Sequence, residues 1–411
     1  MKIYQTIVVG GGPSGISCAY HLKQHNIDYL IIEKKKMLQT WRHERWDSFT
    51  LVTPNWMTNL PGVNHLIPYD NEFMTKKEIE HVLLEYMSYV SPNYVEDTFI
   101  ESVEKENGIY CLNTNNGKYY AEHIIVASGM FNQPFVPTLS ERIPKEINQI
   151  HSRDYFNPSQ LEEGNTLVVG AGRSGVQIAL EIKNAGCEEV FLSVGGLTPL
   201  PVVYKNINGV YWLNKLSGYH EGKAYLPYKP EDLDNENIIG KINQSLYHCQ
   251  IAGVEILGRF INCIDGKLEF SADLDKMMAD GKSYQKSLED KINHLMKKES
   301  FEIGDNELVF DFKDLSSQIL SPLTIIDANS SHLKNIIWCT GFKANYEWLT
   351  LDIFNSDGTP YLKDGVSTHE NVYFCGMELV PDKNTKSSFG VGLFALYESA
   401  KRAVEVMLSR M

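Results

Sequence analysis

Short apolar runs that stop at glycine punctuate this chain and set its expected elements. Residues 6 to 15, TIVVGGGPSG, read as a buried β-strand that turns at once into a helix, ISCAYHLKQH, through Gly10, Gly12 and Gly15. The run DYLIIE at 28 to 33 predicts the next strand, which ends in Glu33. The pattern returns at 166 to 175 as TLVVGAGRSG, with Gly170, Gly172 and Gly175, then the helical stretch VQIALEIKN and the strand EEVFLSVGG. Elsewhere the period changes. TKKEIEHVLLEYMSYV at 75 to 90 has helical spacing behind a Thr75–Glu78 capping box. FIESVEKE, GIYCLNT and YYAEHIIVA predict three strands separated by Gly and Asn. KMMADGKSYQKSLEDKINHLMKK at 276 to 298 predicts a long amphipathic helix, either a plain surface helix or a cover over a substrate pocket.

The three glycines of a GxGxxG turn act differently. The first permits the tight turn, the second lets backbone approach a pyrophosphate, and the third lets helix pack close to strand. The helix then points its unpaired N–H groups at the phosphates. Glu33 stands close to the roughly twenty-residue offset at which an acid takes the ribose hydroxyls. Two such units in one chain predict an α/β protein with two Rossmann-like dinucleotide-binding domains. A further echo, NIIWCTG at 335 to 341 against IIVASG at 124 to 129, suggests that the chain leaves the first domain near 130 and re-enters it near 330. The expected division is therefore 1–150 with 330–411 as an FAD-binding domain, and 151–329 as an inserted NAD(P)H-binding domain. The Gly-, Pro- and aromatic-rich stretch at about 196–300 would be a substrate-covering insertion.

Composition narrows the function classes. With 411 residues, 43% hydrophobic and 22% charged, the chain has room for two or three cored domains and no apolar run long enough to span a bilayer. Met1-Lys2 leads directly into the first strand and leaves no room for a signal peptide, so the expected location is cytoplasmic, with no membrane partner. A formal charge of −14 disfavours nucleic acid, and the KKK run at 34 to 36 reads as a solvated turn. The seven cysteines include no CxxC or similarly close pair, which disfavours a dithiol reductase, and no metal site is expected.

Two nucleotide seats, the first followed by a glutamate, suggest FAD in the first and a nicotinamide nucleotide in the second. In the second unit the place matching Glu33 falls near Ser193, with no carboxylate to repel a 2′-phosphate and no arginine to bind it; Arg173 and Lys205 are the available charges. The balance leans to NADPH, with NADH tolerated. Between the units, TWRHERWDSFTLVTPNWMTNLPG at 40 to 62 reads as a structured loop. Its Trp41, Trp46 and Trp56 either pin the loop to the core or face a ligand.

At this point the sequence resembles the class B flavin monooxygenases, which include flavin-containing and Baeyer–Villiger enzymes. The resemblance rests on VVGGGPSG with Glu33, TWR at 40 to 42, HSRDY at 151 to 155, VVGAGRSG, CTGF at 339 to 342, and NVYFCG at 371 to 376 with the later SSFGVG. It implies that NADPH reduces FAD, O₂ adds to the flavin, and one oxygen passes to a soft nitrogen or sulfur nucleophile or to a ketone. Pro13, Ser14, Trp41, Arg42, Val103, Ser128, Gly129, Gly376 and Phe389 would join the glycines and Glu33 around FAD. Arg173 and Ser174 would join Gly170, Gly172, Gly175 and Ser193 around the second nucleotide. Arg42 and Asn55, the latter near the catalytic-loop asparagine of the flavin-containing branch, would be catalytic. SSFGVG at 387 to 392 would present a helix N-terminus to the flavin's pyrimidine end. The sequence departs from the family at its linker fingerprint, where Lys145 and Ile147 replace a Phe and a Gly before His151. A flavin reductase or oxidase without oxygen insertion, and a non-catalytic flavin sensor, therefore stay open. So does the assembly, a homodimer included.

Overall fold

The computed structural model describes residues 2–196, 203–216, 236, 240, 244–300, 323–356, 358–363, 366–367, 370–376 and 393–411. A mixed sheet with a parallel centre and a wholly parallel sheet organise it. In the first, the strands Tyr94–Val95, Tyr29–Ile32, Ile3–Val9 and Gly117–Val126 lie side by side. The last of these is long enough to serve two further neighbours. Its first half pairs antiparallel with Ile109–Thr114, and its second half pairs parallel with Val372–Phe374. The hydrophobic pattern explains the placement: Ile7, Val8, Ile31, Ile124 and Ile125 are fully buried, as expected of strands covered on both faces. One face is covered by the helices Pro13–Gln24, Lys76–Val90 and Leu393–Leu408. Thr75 and Glu78 form the predicted capping box at the start of the second of these.

The second sheet has the order Val254–Leu257, Val190–Ser193, Asn165–Val169, Leu333–Trp338, Asn148–His151, with every pairing parallel. Its topology corrects the predicted domain boundaries. The strand within NIIWCTG hydrogen-bonds to Asn165–Val169 of the second sheet, not to the first. Its likeness to IIVASG is real, but it arises because each strand lies beside the first strand of its own domain. Asn148–His151 also belongs to the second sheet. The crossings themselves are visible as a short antiparallel pair, Gln133–Pro134 against Phe342–Lys343. The chain therefore leaves the first sheet near 130 and returns near 342, after which Tyr346, Leu349 and Ile353 pack on the first sheet.

The predicted long helix runs Leu274–Lys298 and spans two environments. Leu274, Met277 and Met278 pack in the second domain's core, whereas Leu288 and Ile292 pack against Trp56 and Met57 of the first domain's loop and against Val210–Leu213. Among the described residues no helix is long and apolar enough to cross a membrane.

Candidate functional site: two glycine turns and the loop between them

The glycine turns sit at the carboxyl ends of the central strands, where open α/β sheets leave a crevice. In the first, a Cβ on Gly10 would press the backbone of Ala127 and Ser128, and one on Gly15 would overlap the carbonyl of Gly10. Around Gly12 a Cβ would meet nothing within 4 Å. Packing thus excludes side chains at the first and third glycines, while the second faces open space at the N-cap of Pro13–Gln24, a helix end with no side-chain cap. That is the cradle a pyrophosphate requires, and Ser14 lies buried in its first turn. Gly376, at φ +67°, closes over Ser14, and its N–H donates to Ser399 Oγ at 3.1 Å.

Glu33 is 9% exposed and follows Ile32 directly. Its Oε2 accepts the Gly11 N–H at 2.6 Å and its Oε1 accepts the Lys35 N–H at 2.8 Å, so the carboxylate is fixed beside the turn. Ser128 is half-buried, its Oγ without a partner, and Gly129 (φ +73°) has open space beside it.

The second turn repeats the geometry. Gly170 packs on Cys339, Gly175 on the carbonyl of Gly170, and Gly172 faces open space. Arg173 and Ser174 are half-buried in the first turn of the helix Arg173–Asn184. The register gives a close correspondence: Val9 pairs with Ile32 as Val169 pairs with Ser193, and the Gly10 and Gly170 N–H groups donate to the Ile32 and Ser193 carbonyls at 2.9 Å each. The counterpart of Glu33 is therefore Val194, fully buried, and not Ser193.

Ser193 is itself turned inward. Its Oγ donates to the Gly258 carbonyl at 2.9 Å and accepts the Phe260 N–H at 3.0 Å. Of the two charges expected there, Arg173 directs Nη1 to the Gln244 carbonyl at 3.4 Å, and burial lowers its pKa. Lys205 stands in the hairpin Val203–Asn208, which packs with the Trp56 cluster. The cation at this edge is one the sequence reading missed. Arg259, two residues past the strand Val254–Leu257, is exposed and donates from Nη2 to the Gly195 carbonyl. The strand pairing that brings residues 195 and 259 together is long-range, and no local pattern announces it.

The aromatic loop joins the two halves. Trp46 packs with Tyr155, Val168 and Leu192 of the second domain, and the Asp47 N–H donates to the Phe156 carbonyl at 2.7 Å. Trp56 meets Tyr211 at 6.0 Å, ring to ring. Arg45, also missed from sequence, stands over the rings of Trp41 and Phe49 at 5.4 and 5.5 Å, and burial lowers its pKa to about 10. Among the described residues, buried polar atoms with no hydrogen-bond partner concentrate in this loop: Arg42 Nε, Arg45 Nε, Trp46 Nε1, Trp56 Nε1 and Thr58 Oγ1. Such atoms normally find partners in folded proteins. With the two open cradles, they are what a large polar cofactor would satisfy, and the residues present fit two dinucleotides.

Two expected contacts are spent elsewhere. Asn55 is fully buried, with Nδ2 donating to the Tyr69 carbonyl at 2.9 Å and Oδ1 accepting the Met74 N–H at 2.7 Å, so its amide ties the loop to itself rather than facing a substrate. Val103 lies in the core, with its N–H and C=O both bonded to Thr350 Oγ1 at 3.1 and 2.7 Å. Arg42 lies 3.8 Å from Glu80, too far for a hydrogen bond. Phe389 and SSFGVG fall outside the described residues. His151 Nε2 donates to the Gly341 carbonyl at 3.0 Å and Nδ1 accepts the Arg153 N–H at 3.1 Å; burial lowers its pKa, and the imidazole ties the end of the strand Asn148–His151 to the returning crossing.

All seven cysteines are free. Distant in sequence, Cys18 and Cys375 bring their Sγ atoms to 3.4 Å. Both lie in the core, and burial first, then contact with Cys375, raises the pKa of Cys18 well above its usual value. An exchange-active dithiol needs an accessible thiolate, which this pair does not offer.

A family model described as pyridine nucleotide-disulphide oxidoreductase matches residues 7–196. An uncharacterized CzcO-like oxidoreductase of Geobacillus kaustophilus is 32% identical over 400 residues, covering 96% of this chain and 97% of that protein. Among solved structures, a flavin-containing monooxygenase from Stenotrophomonas maltophilia superposes with a TM-score of 0.67 at 17% identity, over 100% of this chain and 99% of that one. The OTEMO complex with FAD and NADP superposes with a TM-score of 0.57 at 15% identity, over 99% and 84%. At these identities the two superpositions speak for the fold.

Proposed function

We propose that this chain, which belongs to the CzcO-like oxidoreductases, is a flavin-dependent enzyme of the class B monooxygenase type that transfers one oxygen atom from O₂ to a small organic molecule at the expense of NADPH. The acceptor is a soft nitrogen or sulfur nucleophile or a ketone. FAD takes the first glycine turn and NADPH the second. When bound, the two cofactors supply hydride transfer and the activation of O₂.

The chain's own residues supply binding, orientation and exclusion of water. Gly12 and Gly172 leave room for the two pyrophosphates, and Glu33 takes the first ribose. Ser128, Trp41, Arg42 and Arg45 line the first cofactor, where among the described residues Ser128 Oγ and the Nε atoms of both arginines make no hydrogen bond. Trp46 and Trp56 shut the loop against the second domain and against the helix Leu274–Lys298, which keeps bulk water from the reacting centre. Asn55 holds the loop's shape, and the proton on His151 Nε2 holds the linker. The observation that carries the reading is the pair of open cradles joined by an aromatic loop rich in unsatisfied donors, in a chain whose close thiol pair, Cys18 with Cys375, is sealed in the core.

The test is a product balance. FAD-loaded protein is given NADPH, O₂ and a panel of thioethers, tertiary amines and ketones, and oxygenated product and peroxide are counted per NADPH. A productive acceptor should convert peroxide into product. Peroxide equal to NADPH with every acceptor would instead establish an oxidase or reductase.

A further inference from the structure

The second glycine turn has no acid where the first has Glu33, yet its rim is not bare. We propose that Arg259 is the residue that selects NADPH over NADH, by binding the 2′-phosphate on the adenosine ribose. This rests on the assignment of the second turn to the nicotinamide nucleotide.

Three observations carry it. The register places Val194, with no charge and no exposed surface, where Glu33 stands in the other turn, so nothing at that position pairs with a ribose diol or repels a phosphate. Directly beyond it, the Arg259 guanidinium reaches across from the neighbouring strand to the Gly195 carbonyl. The arginine is exposed, and among the described residues no carboxylate pairs with it, so its remaining N–H groups are free to meet an anion.

The backbone beneath it is fixed as a binding residue requires. Ser193 Oγ bridges Gly258 and Phe260 on either side. Ser271 closes the other side, its Oγ accepting the Arg259 N–H and its own N–H donating to the Arg259 carbonyl, each at 2.9 Å. A Cβ on Gly258 would collide with Ser271, so this approach depends on glycine. Ser193, expected from sequence to touch the coenzyme, is thus a positioning residue for the cation that does. A guanidinium suits this role because its planar fork matches phosphate oxygens in pairs, which a ribose hydroxyl cannot exploit.

The test measures binding without turnover. Dissociation constants for NADP⁺, NAD⁺, 2′,5′-ADP and AMP are measured by calorimetry on FAD-loaded wild type, Arg259→Ala and Arg259→Lys. Arg259→Ala should weaken NADP⁺ and 2′,5′-ADP by about 10- to 100-fold while leaving NAD⁺ and AMP within about threefold, and lysine should recover part of the loss. Unchanged NADP⁺ binding in the alanine variant, or an equal loss for both nucleotides, would overturn the assignment. Wild type that binds NAD⁺ as tightly as NADP⁺ would overturn this inference alone, whereas wild type that binds neither would remove the coenzyme assignment as well.

Discussion

At the first glycine turn Glu33 follows the second strand and accepts the Gly11 N–H; at the second, Val194 occupies the same place and Arg259 approaches from the next strand. The backbones are otherwise near copies, down to the Cβ collisions at the third glycines and the open space at the second ones. On the proposed assignment, two dinucleotide seats with the same phosphate cradle would be told apart by charge at the ribose edge. The helices that follow differ in the same spirit: His21, without a partner at Nε2, lies where the other helix has Glu181 bonded to Tyr155. On that assignment a shared scaffold would hold phosphate, and a few rim positions would decide which nucleotide it holds.

The largest effects should come where the two turns are identical. Gly15→Ala and Gly175→Ala each drive a methyl group into the carbonyl of Gly10 or Gly170. Each should cost about 3 kcal/mol, read from the shift in urea midpoint. Equal stability to wild type would mean that the strand–helix approach is looser than described.

Glu33→Gln breaks the comparison on the acidic side. FAD should dissociate about 10-fold more readily, because a charge-assisted contact to the ribose is lost, while NADP⁺ affinity stays the same. Parallel loss of both nucleotides would argue that Glu33 serves the fold rather than one seat.

His21 marks the first helix by pH. Burial first, then the nearby Lys401 and His25, lower its pKa to about 4. The unfolded chain therefore takes up the proton first, so stability is full above the unfolded value of about 6.5 and is lost as pH falls toward 4. Between pH 7 and 4.5 wild type should lose about 2 kcal/mol more than His21→Leu in urea unfolding. A slope common to both proteins would assign the acid sensitivity elsewhere. The smallest effect is expected at the matching place in the second helix, where Tyr155→Phe removes the 2.7 Å bond to Glu181 and should cost about 1 kcal/mol.

The parts of this architecture legible in sequence were those written in local pattern. Both glycine turns, the strand that ends at Glu33, the Thr75 cap and the long amphipathic helix all follow from spacing within some twenty residues. The domain boundary was misread at NIIWCTG because sequence likeness reports a strand's role, and the same role exists in both domains. Asn55 and Val103 looked available because a side chain's or backbone's own commitments, here to Tyr69, Met74 and Thr350, depend on long-range packing. Arg259 was hidden for the same reason: it and Gly195 meet only because the strands Val190–Ser193 and Val254–Leu257 pair.

The central claim is that the two turns hold different cofactors, and one pair of variants tests it directly. Gly12→Val and Gly172→Val each place a side chain in open space that the protein itself does not fill, so both should fold. The measurement is the visible spectrum of each purified variant, followed by anaerobic titration with NADPH. Gly12→Val should emerge colourless, whereas Gly172→Val should retain the yellow flavin yet fail to bleach. A Gly172→Val protein that lacks flavin, or that NADPH bleaches as fast as wild type, would contradict the division of the two seats.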